Sequence, residues 1–268
     1  MIMIAIYIIL GLVVLLCGLY LLVFIRPQAK LPENKRLLCS YAHRGLHGKE
    51  IPENSLAAFK AAIDKGFGIE LDVQLSSDGT VMVFHDYDLS RMTGISKKLC
   101  SLSANELKAL SLANTDQYIP TFEEVLATVN GAVPLLVELK GETLDASLCP
   151  KVAQLLKNYK GDYCIESFNP FLLKEMRKYL PNAYYGQLYT NVCRDKQKYS
   201  VLNILLVGMV FNFLVRPNFI AYNKKDRNSF PVKFTTEFYK APKFVWTVNS
   251  REEREIAKEN GEYAIFEE

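Results

Sequence analysis

Glu70 and Asp72 stand two residues apart in Ile69-Glu70-Leu71-Asp72-Val73-Gln74-Leu75, and Glu138 and Lys140 do the same in Leu135-Leu136-Val137-Glu138-Leu139-Lys140. Side chains alternate faces along a strand, so the charged groups of each stretch share one face and an apolar row occupies the other. An amphipathic strand can be merely half exposed. Two of them in a chain that alternates strands with helices predict a helix-covered sheet whose inner face carries charge. Charges placed there are costly unless paired or bound to a metal, so the pattern reads as a site. Nearby stand His43-Arg44, in Ala42-His43-Arg44-Gly45, and His85-Asp86, after Val81-Met82-Val83-Phe84. A lone histidine is more often structural. Here each one ends a strand and precedes a charged residue, at the edge where barrel active sites collect. His47, in the first loop, reads as a surface or supporting residue, and Asp86 as one that orients His85.

The elements that must position these groups follow from periodicity and capping signals. Leu37–Ala42 reads as a first strand and Asn54–Lys65 as a helix, capped by Asn54 or Ser55 and ended at Gly66. Strands over 68–75 and 81–85 are joined by a connection too short for a helix, which predicts a hairpin-like unit. Residues 87–120 read as a long loop with one short helix, where Ser103 and Glu106 match a capping box. Thr121 and Glu124 make another, ahead of a helix over 122–129. Strand 135–140, helix 149–158, strand 163–167, helix 170–179 and strand 184–188 follow. Next come a helical run Val201–Val215, strand 219–222, a helical segment near 232–240, strand 244–248, helix 251–260 and a last strand 263–266. Such repetition over about 230 residues predicts a TIM (β/α)8 barrel spanning 37–268. A doubly wound open sheet is second, since no Gly-rich phosphate loop follows any strand. Val201–Val215 is short for a bilayer and carries Asn203 and Asn212, so a buried barrel helix is expected there, with a place on the membrane surface as the alternative.

With 268 residues, half of them hydrophobic, the chain can bury one sizeable core. Its net charge of +3 is small and dispersed, without the basic stripe that nucleic-acid binding needs. The six cysteines (17, 39, 100, 149, 164 and 193) form no CxxC pair and read as reduced thiols. From Ile2 to Ile25 no residue is charged, and Arg26 is the first that is. That run is long enough for a bilayer core of about 30 Å. It lacks the basic start and small-residue cleavage site of a secretory signal. Residues 1–25 are therefore expected to be an uncleaved transmembrane anchor, and 26–36 a short linker. Arg26, Lys30, Lys35 and Arg36 follow the anchor and no basic residue precedes it. This places the body in the cytoplasm and Met1 outside it.

Taken together, His43-Arg44, Glu70-Leu71-Asp72 and His85-Asp86, with Pro52-Glu53-Asn54-Ser55-Leu56-Ala57-Ala58-Phe59 between the first two, resemble the glycerophosphodiester phosphodiesterase family. Asp78-Gly79, Ile119-Pro120-Thr121-Phe122-Glu123-Glu124-Val125-Leu126, Val137-Glu138-Leu139-Lys140, Ser167-Phe168 and Trp246-Thr247-Val248-Asn249 stand in the family's order. The resemblance runs over roughly residues 40–250, and it implies a phosphodiesterase-type TIM barrel of the membrane-anchored bacterial kind. By the same resemblance the metal ligands fall on Glu70, Asp72 and Glu138. The catalytic histidines fall on His43 and His85, and the phosphate-contacting cations on Arg44 and Lys140. The chain departs from the family at its end, where Ala264-Ile265-Phe266-Glu267-Glu268 replaces a Gly-rich strand and a Thr-Asp-Pro turn. Trp246 and Phe168 stand as substrate contacts, with core packing an equal alternative for Trp246.

The implied chemistry is self-consistent. Three carboxylates without cysteine or histidine suit a hard divalent cation, Mg²⁺ or Ca²⁺. With that ion, Arg44 and Lys140, the set retains one positive charge, which a phosphodiester monoanion neutralises. Positioned cations on the non-bridging oxygens stabilise phosphoryl transfer. Two histidines supply a base for the nucleophile and an acid for the leaving alkoxide. The nucleophile is either water or the glycerol 2-hydroxyl. Three functions follow: a membrane-anchored glycerophosphodiesterase, a lysophospholipase D acting on lipids still in the bilayer, and an inactive tethered binding barrel. The intact set of seven residues argues against the third.

Overall fold

Eight parallel strands close on themselves because the first pairs with both the second and the last. The strands are β1 (Tyr41–Ala42), β2 (Gly68–Leu75), β3 (Val81–Val83), β4 (Leu135–Leu139), β5 (Tyr163–Ser167), β6 (Tyr184–Tyr189), β7 (Phe219–Asn223), β8 (Lys243–Val248) and β9 (Glu262–Phe266). Their order is β1-β9-β8-β7-β6-β5-β4-β2-β3, and β1 pairs with β2 as well. Tyr41 lies opposite Gly68 on one side and Ile265 on the other. This is a TIM barrel. The computed structural model describes residues 2–141 and 143–267. Among the strands of the described residues only β3 runs antiparallel, paired with the end of β2. The expected hairpin is thus present, and Gly79 at φ +76° makes its turn.

Alternation along the strands divides the core in two. Tyr41, Leu136, Cys164, Tyr184, Leu188, Phe219 and Phe244 fill the barrel lumen. The opposite faces, including Ile69, Leu71, Val137 and Ile165, pack against the helices outside. Gly186 leaves room for this lumen: a Cβ there would come 2.1 Å from the Phe219 ring. The helices start where their caps place them. Ser55 accepts from the Ala58 N–H ahead of Leu56–Asp64. Both predicted capping boxes form, at Ser103/Glu106 and at Thr121/Glu124.

Several local expectations differ from the structure. The first strand is only Tyr41–Ala42, because Lys35–Leu37 turns as a 3-10 helix under the Asn34 side chain. Residues 87–120 hold three short helical turns rather than one, over Ser90–Thr93, Leu99–Ser101 and Ala104–Lys108. They wrap a separate cluster of Met82, Phe84, Leu89, Leu107, Leu112 and Ile119. Val201–Val215 is not a buried barrel helix. It divides into Val201–Val207 and Asn212–Val215, and the first of these buries no residue. Val201 is 75% exposed and Ile204 is 56% exposed, whereas Met209, Asn212 and Val215 face the core. A run that is apolar nearly all round carries no periodicity to show which face is inward, so its burial was not readable.

Ile2–Phe24 is a single helical stretch of mean hydropathy 3.0 with no residue of that span buried against the barrel. It is long and apolar enough to cross a membrane. Its last turn is built into the barrel wall. The Tyr20 hydroxyl donates to the Gly208 carbonyl at 2.9 Å, and the Tyr239 hydroxyl to the Leu21 carbonyl at 2.6 Å. The Asn212 amide donates to the Ile25 carbonyl, and Ile25 is fully buried. The segment expected as a linker is tied down too: the Gln28 N–H donates to the Pro217 carbonyl, and Arg36 pairs with Asp162 at 2.8 Å. Met1, expected outside the cytoplasm, lies outside the described residues.

Candidate active site

Parallel register sets Asp72 of β2 directly opposite Glu138 of β4, with Glu70 two residues earlier on the same inward face. All three carboxylates are buried, and one oxygen from each lies within 4.8 Å of the others. Lys140, just past β4, places its ammonium 3.1 Å from Glu138 Oε1 and 3.3 Å from Asp72 Oδ1. The Arg44 backbone N–H donates to Glu70 Oε2 at 2.9 Å, and its guanidinium lies 3.7 Å from Asp72 Oδ2. That turn needs unusual backbone: Arg44 has φ +55° and Gly45 φ +81°, and a Cβ on Gly45 would meet Ala58 at 2.8 Å. The Asn54 amide completes the ring by donating to Asp72 Oδ2 at 2.9 Å.

Each histidine is gripped from behind. His43 Nδ1 lies 2.6 Å from Glu267 Oε1, and His85 Nδ1 lies 2.6 Å from Asp86 Oδ1. An ionised carboxylate only accepts, so Nδ1 carries the proton and Nε2 is left for the site. His43 Nε2 is 4.0 Å from Glu70 Oε2. An ion-pair chain joins the two histidine loops: Arg44 and Arg91 both hold Glu53, and Arg91 also donates to Asp86 at 2.6 Å. His47 stands farther out, 3.9 Å from Glu267.

Burial and charge set the protonation of the cluster. Glu70 is pushed well up by burial and by the neighbouring Asp72 and Glu138. Burial also pushes Glu138 up to about 7, against the pull of Lys140. Burial raises Asp72 as well, but Lys140, His85, Arg44 and the Asn54 amide outweigh it and hold it below the usual carboxylate range. Lys140 stays above its ordinary value, since Glu138 and Asp72 outweigh its desolvation. Burial lowers His85, partly offset by Asp72.

Glu166 of β5 is a fourth inward carboxylate, opposite Glu138 in register, and was missed in the sequence. Its Oε2 has no hydrogen-bond partner, and burial followed by Glu138 and Asp72 pushes it well up. The alternation Tyr163-Cys164-Ile165-Glu166-Ser167 carried the signal, being the same pattern that marked Glu70 and Glu138. Glu267 and Arg91 were missed because nothing local marks them. Phe168, just past β5, and Trp246 of β8 meet edge to face at 5.6 Å, and the Trp246 indole N–H donates to the Ala221 carbonyl. A cavity of about 450 Å³ opens against His85, Tyr87, Arg91 and Lys140.

The donor set fits a divalent cation. Three all-oxygen ligands converge, and two of them carry raised carboxyls that a cation would ionise. One consequence is measurable without the ion. With Glu138 at about 7, the native protein keeps a proton that the unfolded chain releases near pH 4.3, so this contribution to stability falls as pH rises across that window. In chelator, the melting temperature of wild type minus that of Glu138→Gln should therefore drop by several degrees between about pH 5 and pH 8. The lowered His47 and His85 act in the opposite direction, but they are present in both proteins. A pH-independent difference would overturn the assignment of a raised Glu138.

A closed parallel barrel with this constellation at the C-terminal ends of its strands is a phosphodiesterase-type TIM barrel. The chain belongs to the glycerophosphoryl diester phosphodiesterase family, whose sequence profile matches residues 43–266. It is 35% identical over 159 residues to a glycerophosphodiester phosphodiesterase of Caldanaerobacter subterraneus subsp. tengcongensis, covering 55% of this chain and 65% of that relative. Among solved structures, the glycerophosphodiester phosphodiesterase from Thermotoga maritima superposes with a TM-score of 0.66 at 29% identity, over 85% of this chain and 94% of that one. An Oleispira antarctica phosphodiesterase, solved with its product sn-glycerol-3-phosphate, shares the fold with a TM-score of 0.71 at 24% identity. That match covers 85% of this chain and 92% of the other.

Proposed function

We propose that this protein hydrolyses glycerophosphodiesters to sn-glycerol 3-phosphate and an alcohol, with His43 and His85 as its acid and base. The observation that carries the reading is the pair of histidines held at Nδ1 by Glu267 and Asp86 around a buried carboxylate cluster. Family membership and the product bound in the Oleispira structure support it. Glu70, Asp72 and Glu138 would hold Mg²⁺ or Ca²⁺, which neutralises charge on the non-bridging phosphate oxygens when bound. Arg44 and Lys140 orient the phosphate from either side of Asp72. His85, lowered by burial, starts neutral and accepts the nucleophile's proton at Nε2. His43, in this role protonated on both ring nitrogens, gives its Nε2 proton to the leaving alkoxide while Glu267 keeps hold of Nδ1–H. Phe168 and Trp246 form an aromatic wall against which the alcohol side of the substrate packs.

Purified full-length protein, incubated with a panel of glycerophosphodiesters and lysophospholipids, should release sn-glycerol 3-phosphate or its acylated counterpart. The preferred member of the panel distinguishes the water-soluble substrate from the lipid one. No product from any of them would leave the inactive binding barrel.

The N-terminal helix reads as an uncleaved single-pass anchor with the barrel in the cytoplasm. The support is that Tyr20, Leu21 and Ile25 are knitted into the barrel, where a signal sequence would be removed. Cys100, exposed on the barrel, should resist a membrane-impermeant thiol reagent in intact cells and react after permeabilisation. Labelling in intact cells would overturn the orientation.

A further inference from the structure

Where the anchor joins the barrel, two neighbouring segments turn apolar side chains outward. We propose that this face, formed by Val201–Phe213 and Phe230–Phe238, seats in the surface of an anionic lipid bilayer. Val201, Leu202, Ile204, Phe213, Phe230 and Phe238 are all exposed, Phe238 by 62%. Among the described residues none buries them, and soluble surfaces seldom gather so many large apolar groups in one place.

Three observations select lipid as the occupant. First, the face is continuous with the apolar helix: Phe24 meets Phe213 edge to face at 5.2 Å, Tyr20 bonds to Gly208 within the first segment, and Leu21 to Tyr239, the residue after the second. Whatever covers Ile2–Phe24 therefore reaches this face too. Second, the outward rings are held in place. Phe230, Phe234 and Phe238 stack in a row at 5.5 and 4.8 Å, while Met209, Asn212 and Val215 grip the core behind the other segment. Third, exposed basic groups flank the face and suit anionic headgroups: Lys196 and Lys198 precede Val201, and Lys233 and Lys240 bracket Phe238 with Glu237 between them. Arg194, Lys224 and Arg227 are taken up in ion pairs with Asp226, Glu253 and Glu262. Apolar groups sunk at the headgroup boundary with basic groups around them match an interfacial binding surface.

The orientation has a consequence. Both segments follow the C-terminal edges of their strands, β6 and β7, so Val201 and Phe230 lie toward the end of the barrel that carries His43, His85 and the carboxylates. A seated barrel holds the mouth of its site beside the headgroup layer. This inference does not depend on which ester the site cleaves.

The test uses the full chain in vesicles of phosphatidylcholine and phosphatidylglycerol, with and without bromine on the acyl chains. Tryptophan is introduced singly as Leu202→Trp, Phe238→Trp, Leu12→Trp in the anchor, and Ala127→Trp on the helix across the barrel. The fluorescence of Trp246 in the parent is subtracted. Acyl bromine should quench Leu202→Trp and Phe238→Trp at least about twofold more than Ala127→Trp, approaching Leu12→Trp. Quenching at positions 202 and 238 no greater than at 127 would overturn the proposal. So would protection of 202 and 238 from an aqueous quencher without acyl quenching, which would mean that a second copy of the chain covers the face.

Discussion

Replacing His85 by alanine lowers turnover of a glycerophosphodiester by at least about a hundredfold, and His43→Ala does the same, the usual loss for a general acid or base. Both variants should fold, because neither ring fills the core: each lies at the mouth on a loop held by other contacts. The Glu53–Arg91–Asp86 ion pairs and the Arg44–Glu70 backbone bond remain when an imidazole is removed. Their pH profiles should differ from wild type in opposite limbs. Loss of the base, His85, removes the acidic limb, and loss of the acid, His43, removes the alkaline one. Asp86→Asn and Glu267→Gln act through the histidines they hold, so they should lower kcat less than the alanine variants and shift the corresponding limb. A folded His43→Ala protein that kept near wild-type turnover would refute the acid-base assignment.

Removing the cation should have a comparable effect. Chelator abolishes activity, and Mg²⁺ or Ca²⁺ restores it. The physical reason is that Glu70, Asp72 and Glu138 converge within 4.8 Å in a buried pocket, where like charges repel and the raised Glu70 and Glu138 relieve the repulsion by binding protons. A divalent ion held by Glu70, Asp72 and Glu138 would replace those protons and offset the repulsion, so binding it would stabilise the fold by mass action. Adding the ion to the chelated protein should raise the melting temperature of wild type by several degrees and that of Glu138→Gln by much less. Lys140 bears on this, since its ammonium lies between Asp72 and Glu138 and partly supplies the missing charge. Lys140→Met should therefore lower the melting temperature most when the ion is absent. Equal ion-induced shifts in wild type and Glu138→Gln would exclude a shared site.

Sequence alone determined whatever rests on local periodicity. Strict alternation set Glu70, Asp72 and Glu138 on inward faces, and β2 and β4 place them there. Both capping boxes and nearly every strand of the barrel were legible for the same reason: the signal lies within a few residues of the element it specifies. Glu166 was equally legible but was passed over. The extent of β1 was not, because its neighbours on both sides, β2 and β9, are far away in sequence. Only the tertiary structure decided how Glu267, Glu53 and Arg91 join the site. Glu267 reaches His43 across 224 positions, and a carboxylate at a chain end carries no local mark of its partner. The same holds for the outward face of Val201–Val215. An all-apolar run specifies that something must cover it, and only its packing against the core and against the anchor's last turn shows which side is left to be covered.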